Sequence, residues 1–405
     1  MVGWSGRRKA LTILLFIAPT LIGILIFSVY PILYNTFISF TNRGMYRPNP
    51  DCTQTLTSIF EPSCWPMFRA RAPKGIGQPY TVQTPFYGNY AALVGKLFTK
   101  ESMVALLFIL IALLPLWGAR RLNQHYDRQL TRPVSSFVVW LGGIIGVILL
   151  AWVLKLPQQF SVLMKAGDFF VVTMRTILYV AICIPLFFIV GLTLALILNS
   201  SDLRGRTAFR VIMVVPWAAS TVAIMMSLVW QFFFREQGTI NQLLKLVGIQ
   251  GPAWLNNSTL AFAVIVLANV WYTYPFFMTV ILGALQSIPP EQYEAAEVDG
   301  ANWWDKLTKI TLPLLRPAVL PATVLSSITT FQMFGTVWAI TQGRPSMGAG
   351  VPGATELVMV YAYKQIFQTN AYGRMGAYAV IMFVFLFIAT LYSLRVTRIT
   401  KGAYE

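Results

Sequence analysis

The sequence predicts an all-α integral membrane protein, a polytopic bundle of about eight transmembrane helices. Three observations carry that prediction. Hydrophobic residues make up 56% of the 405 positions and charged residues only 11%, whereas an ordinary soluble domain is about 25% charged. The apolar residues fall in runs of about 20, the length that crosses a hydrocarbon layer of ~30 Å. Backbone groups inside a bilayer must be bonded internally, which leaves helices or closed barrels, and runs without polar alternation are not barrel strands.

The runs are 11–40, 103–118, 134–154, 176–199, 211–233, 258–284, 317–341 and 376–394. The first follows Arg7, Arg8 and Lys9, as a signal peptide would. It continues past Pro19 to Tyr30 without a small-residue cleavage site, so it reads as a retained span. The chain therefore divides into 1–42 with the first span, a long loop at 43–102, two further spans within 103–168, and a core of five spans at 169–405. The long loop is rich in Pro, Gly, Thr and aromatic residues and holds Cys52 and Cys64. Facing an oxidising exterior, that pair can close a disulfide, with two free thiols as the alternative. Cys183 falls in mid-span and reads as a small packing residue.

Loop charge orients the bundle. Sixteen of the 31 basic residues fall on the side of the termini, among them Arg120, Arg121, Arg128, Arg132, Arg204, Arg206, Arg210, Lys306, Lys309, Arg316 and Arg395. Seven of the other 15 lie in the single long loop, and long loops carry little weight in the positive-inside rule. Both termini are thus expected to be cytoplasmic. The net charge of +17 is spread over short loops instead of one face, which argues for topology over nucleic-acid binding.

Within the stated boundaries none of the eight runs contains Asp, Glu, Lys, Arg or His. Ion-coupled carriers place such residues at membrane depth, so the chain offers no relay of its own. It has no G-x-x-x-x-G-K-[ST] loop for nucleotide phosphates. With the single histidine, His125, in a basic loop, no acid–base pair or metal cluster is legible. The chain reads as neither an enzyme nor a cofactor binder, and if it transports actively a partner supplies the energy.

One loop concentrates charge of the other sign. Five of the fourteen acidic residues lie within 291–305: Glu291, Glu294, Glu297, Asp299 and Asp305. Pro289 and Pro290 suit a helix start, Glu291 and Glu294 favour its positive end, and Asp299-Gly300 reads as a stop or turn. A second short helix follows, in which Trp303, Trp304, Leu307 and Ile310 recur at helical spacing before Pro313 and Pro317. Its apolar face has three destinations: the headgroup layer, its own bundle, or a groove on another protein.

Residues 294–317 resemble the E-A-A-x-x-D-G-A … I-x-L-P-x-x-x-P loop of binding-protein-dependent ABC importer permeases. Glu294, Ala295, Ala296, Asp299, Gly300, Ala301, Ile310, Leu312, Pro313 and Pro317 match, and Leu307 stands where the family usually has Phe. At residue frequencies under about 10% each, such agreement by chance is of order one in 10¹⁰. Tyr30 to Tyr34, Gly238 to Asn241, Trp271 to Pro275 and Ile340 to Pro345 are similar to the sugar-importer branch typified by the maltose and glycerol-phosphate permeases, although Arg344 stands where Gly is usual. The likeness covers 11–42 and 169–405, with 43–168 as an insertion whose role is open.

The resemblance implies a type I importer core whose loop 288–317 seats on a cytoplasmic ATPase dimer. Glu294, Ala295, Ala296, Asp299, Gly300, Trp304 and Leu307 would make that contact. It implies a second permease subunit in a heterodimer, an extracytoplasmic solute-binding protein, ATP and Mg bound by the ATPase, and no cofactor on this chain. The implied substrate is a sugar, a disaccharide or oligosaccharide, met by Tyr272, Thr273, Phe276, Ser326, Thr329, Thr330, Gln332 and Met333. Their hydroxyls, amide and aromatic faces suit a neutral solute, while hydrogen bonding between helices is the plainer role for Ser and Thr. A secondary carrier or channel for a neutral polar solute, and a membrane scaffold or sensor, are the competing classes.

Overall fold

The structure, a computed structural model, describes residues 7–44, 80–127, 133–165, 167–200, 203–218 and 223–397. In chain order its helices are α1 (Arg7–Ile24), α2 (Tyr30–Ser39), α3 (Gly88–Val94), α4 (Lys100–Tyr126), α5 (Ser136–Val153), α6 (Leu156–Met164), α7 (Asp168–Asn199), α8 (Arg206–Ala218) and α9 (Ala223–Phe233). They continue with α10 (Thr239–Leu246), α11 (Ser258–Gln286), α12 (Glu291–Val298), α13 (Trp303–Asp305), α14 (Leu312–Phe331), α15 (Gly335–Ile340), α16 (Val358–Phe367) and α17 (Tyr372–Thr397). π-Helical turns at Leu25–Val29 and Lys306–Thr311 make α1–α2 and α13–α14 continuous rods. Among the described residues the only extended pairing is a Thr41–Val82 bridge. Prolines 19, 115, 185, 275, 317 and 321 all lie inside helices, a tolerance typical of membrane segments.

Among the described residues seven helices are long and apolar enough to cross a membrane: Thr12–Ser39, Lys100–Tyr126, Ser136–Val153, Asp168–Asn199, Ser258–Gln286, Trp303–Phe331 and Tyr372–Ser393. Of the expected run at 211–233, the described part comprises the end of α8, up to Ala218, and α9 from Ala223, and the residues between them lie outside the description. The expected span at 317–341 ends at Phe331, because Gln332 to Phe334 leave helical geometry before α15 begins. Helices also outrun their apolar windows. The rod containing 176–199 begins at Asp168 and so takes in Arg175, which lies just outside the apolar window but inside the helix. Apolar residues decide the solvent; helix ends are set by where backbone groups find other partners. Cys52 and Cys64 lie outside the described residues.

The chain forms two compact units, Met1–Ala166 with Lys364–Val384, and Gly167–Tyr363 with Phe385–Glu405. In the first, α4 and α5 pack through small residues. Ala105, Ala112 and Ala119 recur every seven residues on the buried face of α4. A Cβ on Gly143 would stand 2.7 Å from Cβ of Ala119, and one on Gly146 2.9 Å from Cβ of Pro115. Such contacts let two backbones approach where lipid gives no hydrophobic drive. At the end of α2, Asn89 Nδ2 donates to the carbonyls of Ser39 and Thr41 at 2.9 and 2.7 Å. The buried Arg43 guanidinium donates to Tyr34 Oη at 3.1 Å and stands over the Tyr372 ring at 5.0 Å.

The second unit is built on α7 and α11, which make the most extensive helix pair among the described residues. Gly191 permits it, since a Cβ there would meet Cβ of Phe277 at 2.7 Å and the Met278 nitrogen at 3.0 Å. Tyr179, Cys183, Phe187, Ile265, Phe277, Met278 and Ile281 fill the seam, all essentially without exposure. Cys183 therefore packs as expected, with Asn269 Nδ2 3.7 Å from its Sγ. α14 lies against both α7 and α11.

Candidate functional site

The acidic loop folds as two helices joined by a left-handed turn. Glu291 and Glu294 occupy the first turn of α12, where they face the positive end of the helix dipole. At its other end Gly300 adopts φ 77°, its N–H donates to the Glu297 carbonyl at 3.0 Å, and the Ala301 N–H reaches the Ala296 carbonyl at 2.8 Å. This pair of bonds around a left-handed residue is the Schellman arrangement, which favours glycine. Two residues on, Asn302 Oδ1 accepts from the Asp305 N–H at 2.9 Å and starts α13. The Asp-Gly-Ala-Asn run thus stops one helix and starts the next within four residues.

Cross-links hold the angle. Tyr293 Oη and Thr311 Oγ1 are 3.0 Å apart, joining α12 to the π-helical turn. Lys306 Nζ meets Glu297 Oε1 at 2.6 Å, and Lys309 Nζ meets Asp305 Oδ1 at 2.7 Å. Both pairs are open to solvent, which screens them, whereas Thr311 is buried. The second helix does not end as a separate element; it continues from Trp303 through the π-helical turn into α14 as one 29-residue rod. A displacement of the loop therefore moves the foot of a spanning helix.

The expected contact residues face outward unevenly. Glu294, Ala295, Asp299 and Gly300 are exposed, while Ala296 and Leu307 are half-buried. Trp303 and Trp304 are each 63% exposed with their rings 6.0 Å apart, and Val298 is 90% exposed. The apolar stripe read from periodicity is thus split. Leu307 and Ile310 turn toward the protein, and the two indoles, beside Val298, present an uncovered surface. Sequence reading did not find the Asn302 cap or the Tyr293–Thr311 tie. The former has a local signal, an Asn three residues before Asp305; the latter spans 18 residues and has none.

The residues singled out for a solute differ in burial and in the faces they occupy. Ser326 and Thr330 are buried on one face of α14, whereas Thr329 is exposed on another and Gln332 is exposed just past the helix end. Thr329 Oγ1 bonds back to the Leu325 and Ser326 carbonyls at 3.2 and 3.1 Å, and Thr273 Oγ1 donates to Asn269 Oδ1 at 3.3 Å within α11. Phe276 lies 5.8 Å from Trp217, ring to ring, Met333 packs against the core, and Tyr272 is half-buried. A separate cavity of about 340 Å³ between α7, α14 and α17 is lined by residues such as Ile177, Thr323, Ser327, Phe331, Phe385 and Ser393, and by none of the eight.

One polar feature was hidden by the sequence windows. The Arg175 guanidinium, on α7, donates to the carbonyls of Gly353 and Glu356, the latter at 3.3 Å. Glu356 is buried and its Oε2 accepts from the Gly353 N–H at 3.1 Å. Thr355 Oγ1 donates to the Arg344 carbonyl at 2.6 Å and lies 2.7 Å from Thr341 Oγ1. Together these bonds pin residues 341–357 to the start of α7. Partners about 180 residues apart leave no local trace.

Spanning helices around a tight seam, with a rigid jointed loop at the foot of one of them, define a polytopic membrane protein that offers an uncovered lever. Residues 188–401 match the family described as "binding-protein-dependent transport system inner membrane component", and the chain belongs to that family. It is thus a multi-pass transport component of the inner membrane. The chain is 33% identical to the trehalose/maltose transport system permease protein MalF of Thermococcus litoralis over 318 residues, 76% of this chain and 98% of that one. It is 33% identical to the sulfoquinovosyl glycerol transport system permease protein SmoG of Agrobacterium fabrum over 60% of this chain and 76% of the relative. A solved bacterial alginate ABC transporter, in complex with an alginate pentasaccharide-bound periplasmic protein, aligns with a TM-score of 0.47 and 21% identity over 65% of this chain and 93% of that one.

Proposed function

We propose that the chain is a permease subunit of an ATP-binding cassette importer that carries a sugar, a disaccharide or oligosaccharide, released by an extracytoplasmic binding protein. The single observation that carries the coupling part is the loop at 291–311, whose glycine-jointed helices expose Trp303, Trp304 and Val298 and merge into α14. An uncovered apolar surface at the end of a rigid rod suits a helix-in-groove contact. The partner is a cytoplasmic ATPase dimer, which binds ATP and Mg; this chain, lacking a phosphate-cradling glycine loop, contributes no nucleotide site of its own. The basic residues flanking the spans favour a cytoplasmic position for this loop and both termini.

The sugar reading rests on relatives named for trehalose/maltose and for sulfoquinovosyl glycerol, and on the hydroxyl, amide and aromatic groups of α11 and α14. A second permease subunit, consistent with the family, would supply the other side of the pathway. ATP binding to the ATPase selects one orientation of the helices by binding it more tightly, as any ligand-driven change requires. The test is reconstitution of the chain with a second permease subunit, the ATPase and the binding protein. Sugar-loaded binding protein should stimulate ATP hydrolysis and uptake. Uptake by this chain alone on an ion gradient would replace the proposal with a secondary carrier.

A further inference from the structure

Helix α4 has two faces of different character. One, carrying Ser102, Ala105, Ala112, Ala119 and Asn123, is buried. The other carries Met103, Leu107, Leu110, Leu114 and Trp117, each about half exposed or more. These positions advance by three or four residues, so they form one continuous apolar stripe along the rod. The next position on the stripe is Arg121, whose guanidinium carbon stands 4.1 Å from the centre of the Trp117 ring. A cavity of about 520 Å³ opens beside it, with a described lining of Gly118, Arg121, Leu122, Gln124 and His125. Gly118 borders it, and a Cβ there would meet nothing within 4 Å, so a larger side chain would project into open space. Arg120 is adjacent, and Asp127 is the one carboxylate between residues 118 and 127.

We propose that this cavity binds the phosphate headgroup of an anionic phospholipid, with an acyl chain lying along the Met103–Trp117 stripe. Each part of the ligand has its counterpart. A guanidinium presents planar paired donors that match phosphate oxygens, and its stacking on Trp117 fixes the fork at the depth where indoles prefer to sit in a bilayer. Gln124 adds an amide donor. The uncharged stripe matches hydrocarbon in length and character, which a free phosphate ion would not use. Basic pockets at the headgroup level of membrane helices are suited to such lipids. This site gives residues 103–126 a role that is independent of the transport reading.

The alternative for Arg120, Arg121 and His125 is to complement the negative C-terminal end of α4. That role would show as stability in every lipid. The experiment is native mass spectrometry of the full chain released from mixed phosphatidylglycerol and phosphatidylcholine. The wild type should retain phosphatidylglycerol in preference, and Arg121→Gln should hold it about tenfold more weakly. Gly118→Leu, which keeps every charge and fills the cradle, should lose it to a similar degree, whereas Arg206→Gln should not. Inorganic phosphate in excess should leave the lipid bound. Retention in both Arg121→Gln and Gly118→Leu, an equal loss in Arg206→Gln, or displacement by inorganic phosphate would each overturn the assignment.

Discussion

Replacing Gly300 with valine tests the lever most directly. The residue sits at φ 77°, and a Cβ built there meets nothing within 4 Å, so the substitution introduces backbone strain without a clash. An L-residue in the left-handed region costs about 1–2 kcal/mol, and a β-branched one is the least tolerant. The ratio of closed to opened turn should fall by a factor of about 5–30. Opening the turn releases the Gly300–Glu297 and Ala301–Ala296 bonds and lets α12 swing away from α13. Asparagine tolerates the left-handed conformation, so Gly300→Asn should keep most of the coupling. The assay is sugar-stimulated ATP hydrolysis and uptake in proteoliposomes holding the assembled importer, with membrane insertion and subunit recovery measured in parallel. Uptake in Gly300→Val equal to that of wild type and Gly300→Asn would refute the reasoning, because the joint angle would then not matter.

Three further outcomes are expected. Arg175→Met should destabilise the protein by about 3 kcal/mol, since it strips the buried Glu356 region of its cation; adding Glu356→Gln should restore part of that loss in a thermal-unfolding double-mutant cycle, and strict additivity would argue that the two groups do not interact. Gly191→Ala should cost about 1–3 kcal/mol by forcing α7 from α11, while Gly283→Ala, on an open face of α11, should leave the melting temperature unchanged or slightly raised. Gly143→Ala should loosen the α4–α5 hairpin, where its new methyl would fall 2.7 Å from Ala119; cysteine cross-linking between the two helices would report the loss, and unchanged cross-linking would discount the small-residue seam.

Much of the architecture was legible because each of the spanning helices contains a long apolar run, and lipid allows such a run no other regular fold. The foot of α14 shows the same limit as its far end. The prolines at 313 and 317 read as leading from a short helix into a separate span, yet one rod runs from Trp303 through both. At the loop, the Asp299-Gly300 step announced the turn through local residue chemistry alone. The solute group was far less legible. Spacing places Ser326 and Thr330 together and Thr329 apart, but only the neighbours of α14 decide which of these faces is covered.

By itself the sequence determined the solvent, the helical class, the likeness to importer permeases and the position of the jointed loop, since all of these follow from local composition and short motifs. Tertiary structure decided which groups are uncovered. It left Trp303 and Trp304 open while turning Leu307 inward, and it bonded Arg175 to a loop about 180 residues away. The physical reason is that burial and long-range hydrogen bonds depend on what stands opposite in space, and periodicity along one helix cannot name a partner on another.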